Sequence, residues 1–449
     1  MNSILEIIPF TNQCKGSVVI PGSKSISNRA LLLSCFSENK VDLHGVLKSQ
    51  DVDLMISALK SVGIQIKEDW ESKKLEVKGC RGIAPIRKQK IEVGNAGTVA
   101  RFLTAWLAVQ EQAEYSLDGS IEMRERPIGQ LMEFFQSEGI EINYLGENGF
   151  FPFRMNTKKP KTSYWEVDAS KSSQMLSALM MIAPLLGESH KIRFPQGTVS
   201  KPFLQITSQM IKDFTGDEAY YCGIGNKEIE IVGKYLRSDD FTYLVEPDAT
   251  AASYFLTLPQ IIGGSCEVIG VWDDMLQGDS KYSVILRDQG AKVENGPKGL
   301  ISHRDKMLKG GKYDFNDISD TFLTLAAISP LLSTPLEIYG IAHTRLQETD
   351  RISAMTNELK KLGQEVTETE DSIEIKPNLN KLKKLARNKI SIETYEDHRV
   401  AMSFGILGSF DLFGTGEPWM EIKNPGCCSK TFPDFFEQLE DLRIESTTL

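Results

Sequence analysis

Three stretches of the chain combine small and hydroxyl residues with cations, a mixture suited to holding anionic groups. They are Pro21-Gly22-Ser23-Lys24-Ser25-Ile26-Ser27-Asn28-Arg29, Gly94-Asn95-Ala96-Gly97-Thr98 followed by Arg101, and Lys171-Ser172-Ser173-Gln174. Small residues let a backbone approach a ligand closely. N–H groups at a helix start point outward with partial positive charge, and Lys24 and Arg29 add full charge. Each stretch alone is also an ordinary helix cap; three at equivalent places in a repeat point to anion binding. None has the GxxxxGK(S/T) form of a nucleotide phosphate loop, and Gly223-Ile224-Gly225 lacks the third glycine of a dinucleotide fingerprint.

A second set is charged. Met123-Arg124-Glu125-Arg126-Pro127 sits in a loop before a helix, and Arg345, Glu348, Asp350 and Arg351 crowd the segment 344–351. Glu396-Asp397-His398-Arg399 opens an apolar helix, and Lys430 precedes Thr431-Phe432-Pro433. Surface salt bridging is the usual fate of such residues. Asp-His-Arg entering a buried helix is different, because a charge buried without a partner is costly. His398 is therefore a candidate functional group, whereas His44, His190 and His303 read as structural.

The elements that must position these residues repeat along the chain. Val52, Met55, Ile56 and Leu59 are apolar at helical spacing, Gly63 follows, and Ile64-Gln65-Ile66 begins a strand. Such stripes start at 52, 128, 204, 279, 352 and 432, so the spacings are 76, 76, 75, 73 and 80. The third and fourth copies are the least apolar. Each stripe packs one helix face on a core, the glycine that follows all but the sixth, where Arg443 stands, suits a left-handed helix end, and Ile-x-Ile alternation suits a strand. A second helix class alternates with the first: Ser25–Phe36, Gly97–Val109, Ser173–Leu186, Ala249–Pro259, Asp320–Leu332 and His398–Gly408. These are apolar on nearly all faces, as buried helices are. Six units of about 75 residues, each with two helices and several strands, predict an α/β architecture of two domains with three units each.

Composition bounds the function. A chain of 449 residues with 41% hydrophobic and 25% charged residues is an ordinary globular one. At roughly 150 residues per domain its length would allow three domains; the repeat favours two. The net charge is 51 − 61 = −10, which argues against nucleic-acid or membrane-surface partners. Seven scattered cysteines without a CxxC motif read as reduced thiols, and no His/Cys group has zinc spacing. The start MNSILEIIPF lacks signal-peptide character, and the apolar run 177–186 is too short to cross a bilayer, so a cytoplasmic protein is expected.

At this point several segments carry a resemblance: PGSKSISNRALLL, GNAGTVARFL, MRERPIG, SSQMLSALMMIAPL, VSKP, QETDRI, YEDHRVAM and SKTFPDFFEQL, in order from about residue 9 to 440. Together they resemble the 5-enolpyruvylshikimate-3-phosphate synthase family. The resemblance implies an enolpyruvyl transferase-like fold, an inside-out α/β barrel of two domains with three βαβαββ repeats each. The expected domains are 22–244, on the shikimate 3-phosphate side, and 1–21 with 245–449, supplying phosphoenolpyruvate-binding and proton-transfer residues. The family's active site lies in the cleft between its domains. The implied reaction moves the enolpyruvyl group of phosphoenolpyruvate to the 5-hydroxyl of shikimate 3-phosphate by addition and elimination, with no metal or organic cofactor, in aromatic amino acid biosynthesis. A monomer is implied.

Carried over by position, Lys24, Ser25, Arg29, Ser172, Ser173, Gln174, Ser200, Asp320 and Gln347 are expected to hold shikimate 3-phosphate. Lys24, Asn95, Gly97, Gln174, Arg126, Arg351, Arg399 and Lys430 are expected to hold phosphoenolpyruvate. Asp320 is the candidate base, Glu348 and Lys24 are candidate proton carriers, and His398 is a possible participant. Some positions depart from the family's common pattern: Gln347 stands for a frequent Lys, His343 for Asn, Phe203 for Tyr and Phe102 for Pro. The rivals are a UDP-N-acetylglucosamine enolpyruvyl transferase, a carboxyvinyl transferase with another alcohol acceptor, and a non-catalytic repeat protein binding phosphorylated ligands. The first usually carries a reactive Cys where this chain has Glu122–Arg126, which contains none.

Overall fold

The computed structural model describes residues 3–170 and 172–448. The chain forms two compact units, Gly22–Glu246 and Met1–Pro21 together with Pro247–Leu449.

In the unit Gly22–Glu246, strands Lys88–Glu92, Ala113–Asp118, Phe153–Thr157 and Glu141–Tyr144 lie side by side in that order. The first pair is parallel and the other two pairings are antiparallel. Helix Gly97–Ala108 crosses between the parallel strands, and helix Gly129–Ser137 leads to the closing hairpin. That is one βαβαββ repeat. A second sheet, Tyr164–Glu166, Ser189–Arg193, Glu228–Val232 and Tyr221–Ile224, has the same pattern. In the third, Phe241–Leu244 from the end of the unit lies parallel to Lys40–His44 near its start. Lys74–Lys78 and Ile66–Asp69 complete that sheet, so the three repeats close on themselves.

The other unit repeats the plan. Cys14–Val19 pairs in parallel with Gly264–Ile269, and Gly311–Asp314 with Leu336–Tyr339; each sheet then adds two antiparallel strands. The sixth repeat departs from the expected βαβαββ order. After the parallel pair Ile390–Ile392 and Met420–Lys423, its antiparallel strand is Ile4–Glu6 from the N-terminus, and its sheet has three strands. Helix Phe435–Thr448 follows instead of a hairpin, and Ser446 Oγ takes the Lys15 amide at 3.0 Å.

Each unit has a helical centre. All twelve residues of Gly97–Ala108 and all eleven of His398–Gly408 are buried, as suits helices apolar on most faces, and Arg101, His398 and Arg399 are buried with them. Helices Ala249–Ile262, Phe322–Ala327 and His398–Gly408 touch one another, with the sheets outside them. The striped helices lie further out: in Gln50–Ser61, Val52, Met55, Ile56 and Leu59 are buried, each worth roughly 1.5–3 kcal/mol of transfer free energy. The glycines predicted to end these helices, Gly63, Gly139, Gly216, Gly290 and Gly363, all have φ between 62° and 103°.

Three local expectations are corrected. The segment 320–332 is not one helix: a 3-10 turn Asn316–Thr321 precedes a short helix Phe322–Ala327, and a second 3-10 turn Ser329–Leu331 follows. Ile318 breaks the first turn with φ −131° and ψ 35°, and Pro330 supplies no N–H for a continuing helix. The strand expected at Ile64 begins at Ile66, because Ile64 N still bonds back to Leu59 O to close the helix. Phe432 precedes its helix, which starts at Phe435.

Candidate active site

In the unit Gly22–Glu246, the first predicted anion stretch does open a helix, Lys24–Ser34, capped by Ser23 Oγ, which accepts from the Ile26 amide. Lys24 Nζ reaches Asp51 Oδ2 at 3.2 Å with 14% of its side chain exposed. Ser25 is half-buried beside it. Arg29 points inward. Its Nε donates to Thr207 Oγ1 at 2.8 Å, Nη2 to Ser177 Oγ at 3.1 Å and Nη1 to the Ser25 carbonyl at 3.0 Å. The rings of Phe102 and Phe203 flank it at 5.0 and 5.8 Å. Burial pulls its pKa down to about 9. The hydroxyls Thr207 and Ser177 that pin it are far off in sequence and gave no signal there.

The second stretch places Gly97 at the first position of helix Gly97–Ala108. A Cβ on Gly97 would lie 2.7 Å from Arg126 Nη2 and 3.3 Å from Gln174 Oε1. Three residues singled out from separate motifs thus meet around one backbone. Arg126 Nη1 lies 3.4 Å from Asn95 Oδ1. Its neighbour Arg124 turns outward to Asp118, with contacts of 2.9 and 2.6 Å. The third stretch caps helix Ser173–Leu186, with Ser172 Oγ accepting from the Gln174 amide at 3.2 Å and Ser173 buried. Lys171 lies outside the described residues. Ser200 is buried with φ 52°, a left-handed backbone that costs a non-glycine residue about 1 kcal/mol or more.

In the other unit, Arg351 is the hub. It begins helix Arg351–Lys361 and is 1% exposed. Its Nε donates to Asp397 Oδ2 at 2.7 Å, Nη1 to Asp320 Oδ1 at 2.8 Å and Nη2 to Glu348 Oε2 at 2.9 Å. Nη1 also donates to the Gln347 amide oxygen. Asp320 gives its second oxygen to Arg399 Nη2 at 2.7 Å, and Glu348 gives its own to Lys430 Nζ at 3.1 Å. Three cations and three carboxylates therefore share one network. Burial works against the charge on Arg351, but Asp397, Glu348 and Asp320 more than offset it and hold the group protonated. Arg399 behaves alike: burial opposes its charge, and Asp320 leads the groups that retain it.

Asp397 was met in sequence only as a neighbour of His398. It caps helix His398–Gly408 by accepting from the Arg399 amide at 2.8 Å, and pairs with Arg351 as well. His398 is buried, with Nδ1 3.6 Å from Asp397 Oδ1. His343 Nε2 meets Ser319 Oγ at 2.8 Å, and burial lowers its pKa. Arg345 is separated from this network: it grips Asp350 at 2.7 and 2.9 Å. Gln347 spends its amide oxygen on Arg351, so what it can offer a ligand is its N–H pair.

Each unit thus gathers cations next to half-buried polar groups, and one unit adds carboxylates able to move protons. Among the described residues no group of three His, Cys, Asp or Glu side chains is placed to hold a metal. The family model for EPSP synthase, 3-phosphoshikimate 1-carboxyvinyltransferase, matches residues 10–439. The chain belongs to the EPSP synthase family. It is 41% identical to the 3-phosphoshikimate 1-carboxyvinyltransferase of Opitutus terrae, over 99% of this chain and 98% of that protein. Its fold matches the EPSP synthase of Acinetobacter baumannii with a TM-score of 0.79 at 22% identity, covering 98% of each chain. The enolpyruvyl transferase NikO of Streptomyces tendae shares the fold too, with a TM-score of 0.72 at 14% identity over 98% of this chain and 97% of that one. The two-domain enolpyruvyl transferase fold is therefore established, and membership of the EPSP synthase family comes from the sequence.

Proposed function

We infer that the chain transfers the enolpyruvyl group of phosphoenolpyruvate to the 5-hydroxyl of shikimate 3-phosphate, releasing phosphate, in the shikimate pathway. One observation carries the residue assignment: Asp320 and Glu348 both sit on Arg351, with Arg399 and Lys430 on their remaining oxygens. These cations are pre-assembled for an anion, and an anion that takes their hydrogen bonds releases the carboxylates for proton transfer. Asp320 then takes the 5-hydroxyl proton, while Glu348 and Lys24 serve the methylene carbon of phosphoenolpyruvate. Arg351, Arg399, Lys430, Arg126 and Lys24 stabilise charge as phosphate leaves.

Lys24, Ser25, Arg29, Ser172, Ser173, Gln174 and Ser200 hold shikimate 3-phosphate in this reading, with Asp320 and the N–H pair of Gln347. Asn95, Gly97 and Gln174 shape the phosphoenolpyruvate position. Residues 22–246 would then serve mainly shikimate 3-phosphate, and the other unit phosphoenolpyruvate and the proton transfers. His398 orients Asp397 or takes part directly. The reading includes a cytoplasmic monomer acting on small molecules; the net charge of −10 supports leaving nucleic acid out.

The test is phosphate release by the purified chain. Release is expected only with phosphoenolpyruvate and shikimate 3-phosphate together. No release with that pair, but turnover with another alcohol, would sink this acceptor and favour the reading suggested by Gln347 and Phe203.

A further inference from the structure

Asp279 belongs to none of the residues assigned above. It stands in the turn Gly278–Lys281, which packs on the turn Asn316–Thr321 that carries Asp320. The side chain is buried, with the residue 5% exposed. Its Oδ2 accepts from Gln277 Nε2 at 3.0 Å, while Oδ1 has no hydrogen-bond partner among the described residues. The same Gln277 amide nitrogen donates to Asp248 Oδ1 at 3.0 Å and to Thr250 Oγ1 at 2.8 Å. One amide therefore bridges two buried carboxyl groups.

The charged groups that face Asp279 come from three elements: Asp320 from the neighbouring turn, Arg399 from helix His398–Gly408, and Asp248 from the cap of helix Ala249–Ile262. Tyr254, from that same helix, faces Arg399, and burial keeps its phenol neutral. Among the described residues an ionised carboxylate in this place has one donor for two oxygens, with the carboxylates Asp320 and Asp248 nearby, which disfavours the charge. Burial and then Asp320 lift the Asp279 pKa to about 7, against the pull of Arg399.

We propose that Asp279 is a positioning residue for Arg399, a buried acid whose loss of a proton sets a new negative charge beside that guanidinium and weakens its hold on an anionic substrate. This rests on Arg399 holding phosphoenolpyruvate, as read above. The linkage has a definite sign. With Asp279 neutral, Arg399 is free of that competing charge and binds anions best. An anion bound at Arg399 in turn makes the Asp279 proton harder to lose, so binding near neutrality takes up a proton.

Titration calorimetry tests this on the whole chain, with shikimate 3-phosphate present and phosphoenolpyruvate added, in buffers of differing ionisation heat. Between about pH 6 and about pH 8.5, affinity is expected to fall roughly tenfold, with proton uptake near neutrality. Asp279→Asn imitates the neutral acid. It is expected to keep the low-pH affinity and to lose both the fall and the uptake. Identical pH curves and uptake in the two proteins would overturn the proposal. If Asp279→Asn does not fold, Gln277→Leu removes the donor that favours the ionised form, so the fall in affinity should move to higher pH; no movement, or movement to lower pH, overturns it. If no protein binds phosphoenolpyruvate at any pH, the functional reading fails, and the same comparison with inorganic phosphate still decides the role of Asp279.

Discussion

Arg351 Nε and Asp397 Oδ2 meet at 2.7 Å across 46 positions of sequence, with both side chains at most 1% exposed. Two charges taken so far out of water are stable only as a pair. Asp397→Asn keeps a helix-capping side chain but leaves the guanidinium short of one counter-charge. Asp320 and Glu348 remain, so a loss of about 3 kcal/mol, the lower end for breaking a buried pair, is expected in urea unfolding. An unchanged midpoint would show that the other two carboxylates suffice.

Gly97 shapes the position of Arg126. A Cβ there would come within 2.7 Å of Nη2, at the far end of a flexible side chain that can swing away. Gly97→Ala should therefore leave thermal stability almost unchanged. It should raise KM for phosphoenolpyruvate about tenfold, with a smaller effect on kcat. Steady-state kinetics beside a melting curve separates the two; an unaltered KM would detach Arg126 from that substrate.

Asp320 is held by Arg351 and Arg399 at 2.8 and 2.7 Å. Removing it frees two guanidiniums for anions while deleting the base. For Asp320→Ala, kcat is expected to fall about 100- to 10,000-fold with substrate binding largely kept. Near-normal turnover in single-turnover measurements would take Asp320 out of the base role.

His190 offers a pH test away from the site. Its ring packs on Trp165 with centroids 4.7 Å apart, and burial lowers its pKa from 6.5 to about 4. The unfolded chain therefore binds a proton that the folded chain refuses between those values. Stability should fall as pH drops from 6.5 toward 4. His190→Phe, measured by urea unfolding at both ends of that window, should flatten this slope; an equal slope would assign it to other groups.

The repeat was legible because its signals are local. An apolar stripe, a glycine at a left-handed turn and alternating strand residues each act within a few positions, so Gly63 and Gly139 could be placed from sequence. The segment at Asp320 was less legible. Its residues read as one apolar helix, yet Asp320 lies in a 3-10 turn ahead of the short helix Phe322–Ala327, with its carboxylate between two arginines. Asp51, Thr207 and Ser177 gave no sign of their partners, since nothing in a hydroxyl or a carboxylate records which distant cation it will meet.

By itself the sequence determined the six-unit period, the α/β class, the motif residues and their resemblance to a family. The period and the class follow from spacing along the chain, and the resemblance from the motif residues themselves. The tertiary structure decided the pairings. It turned Arg126 toward Asn95 and Arg124 outward to Asp118, gathered Asp320, Glu348 and Asp397 on Arg351, and left Asp279 buried with one oxygen unbonded among the described residues. Such contacts depend on direction and burial, which a linear pattern does not carry: charges two positions apart can face different ways, and charges far apart in sequence can share one desolvated site.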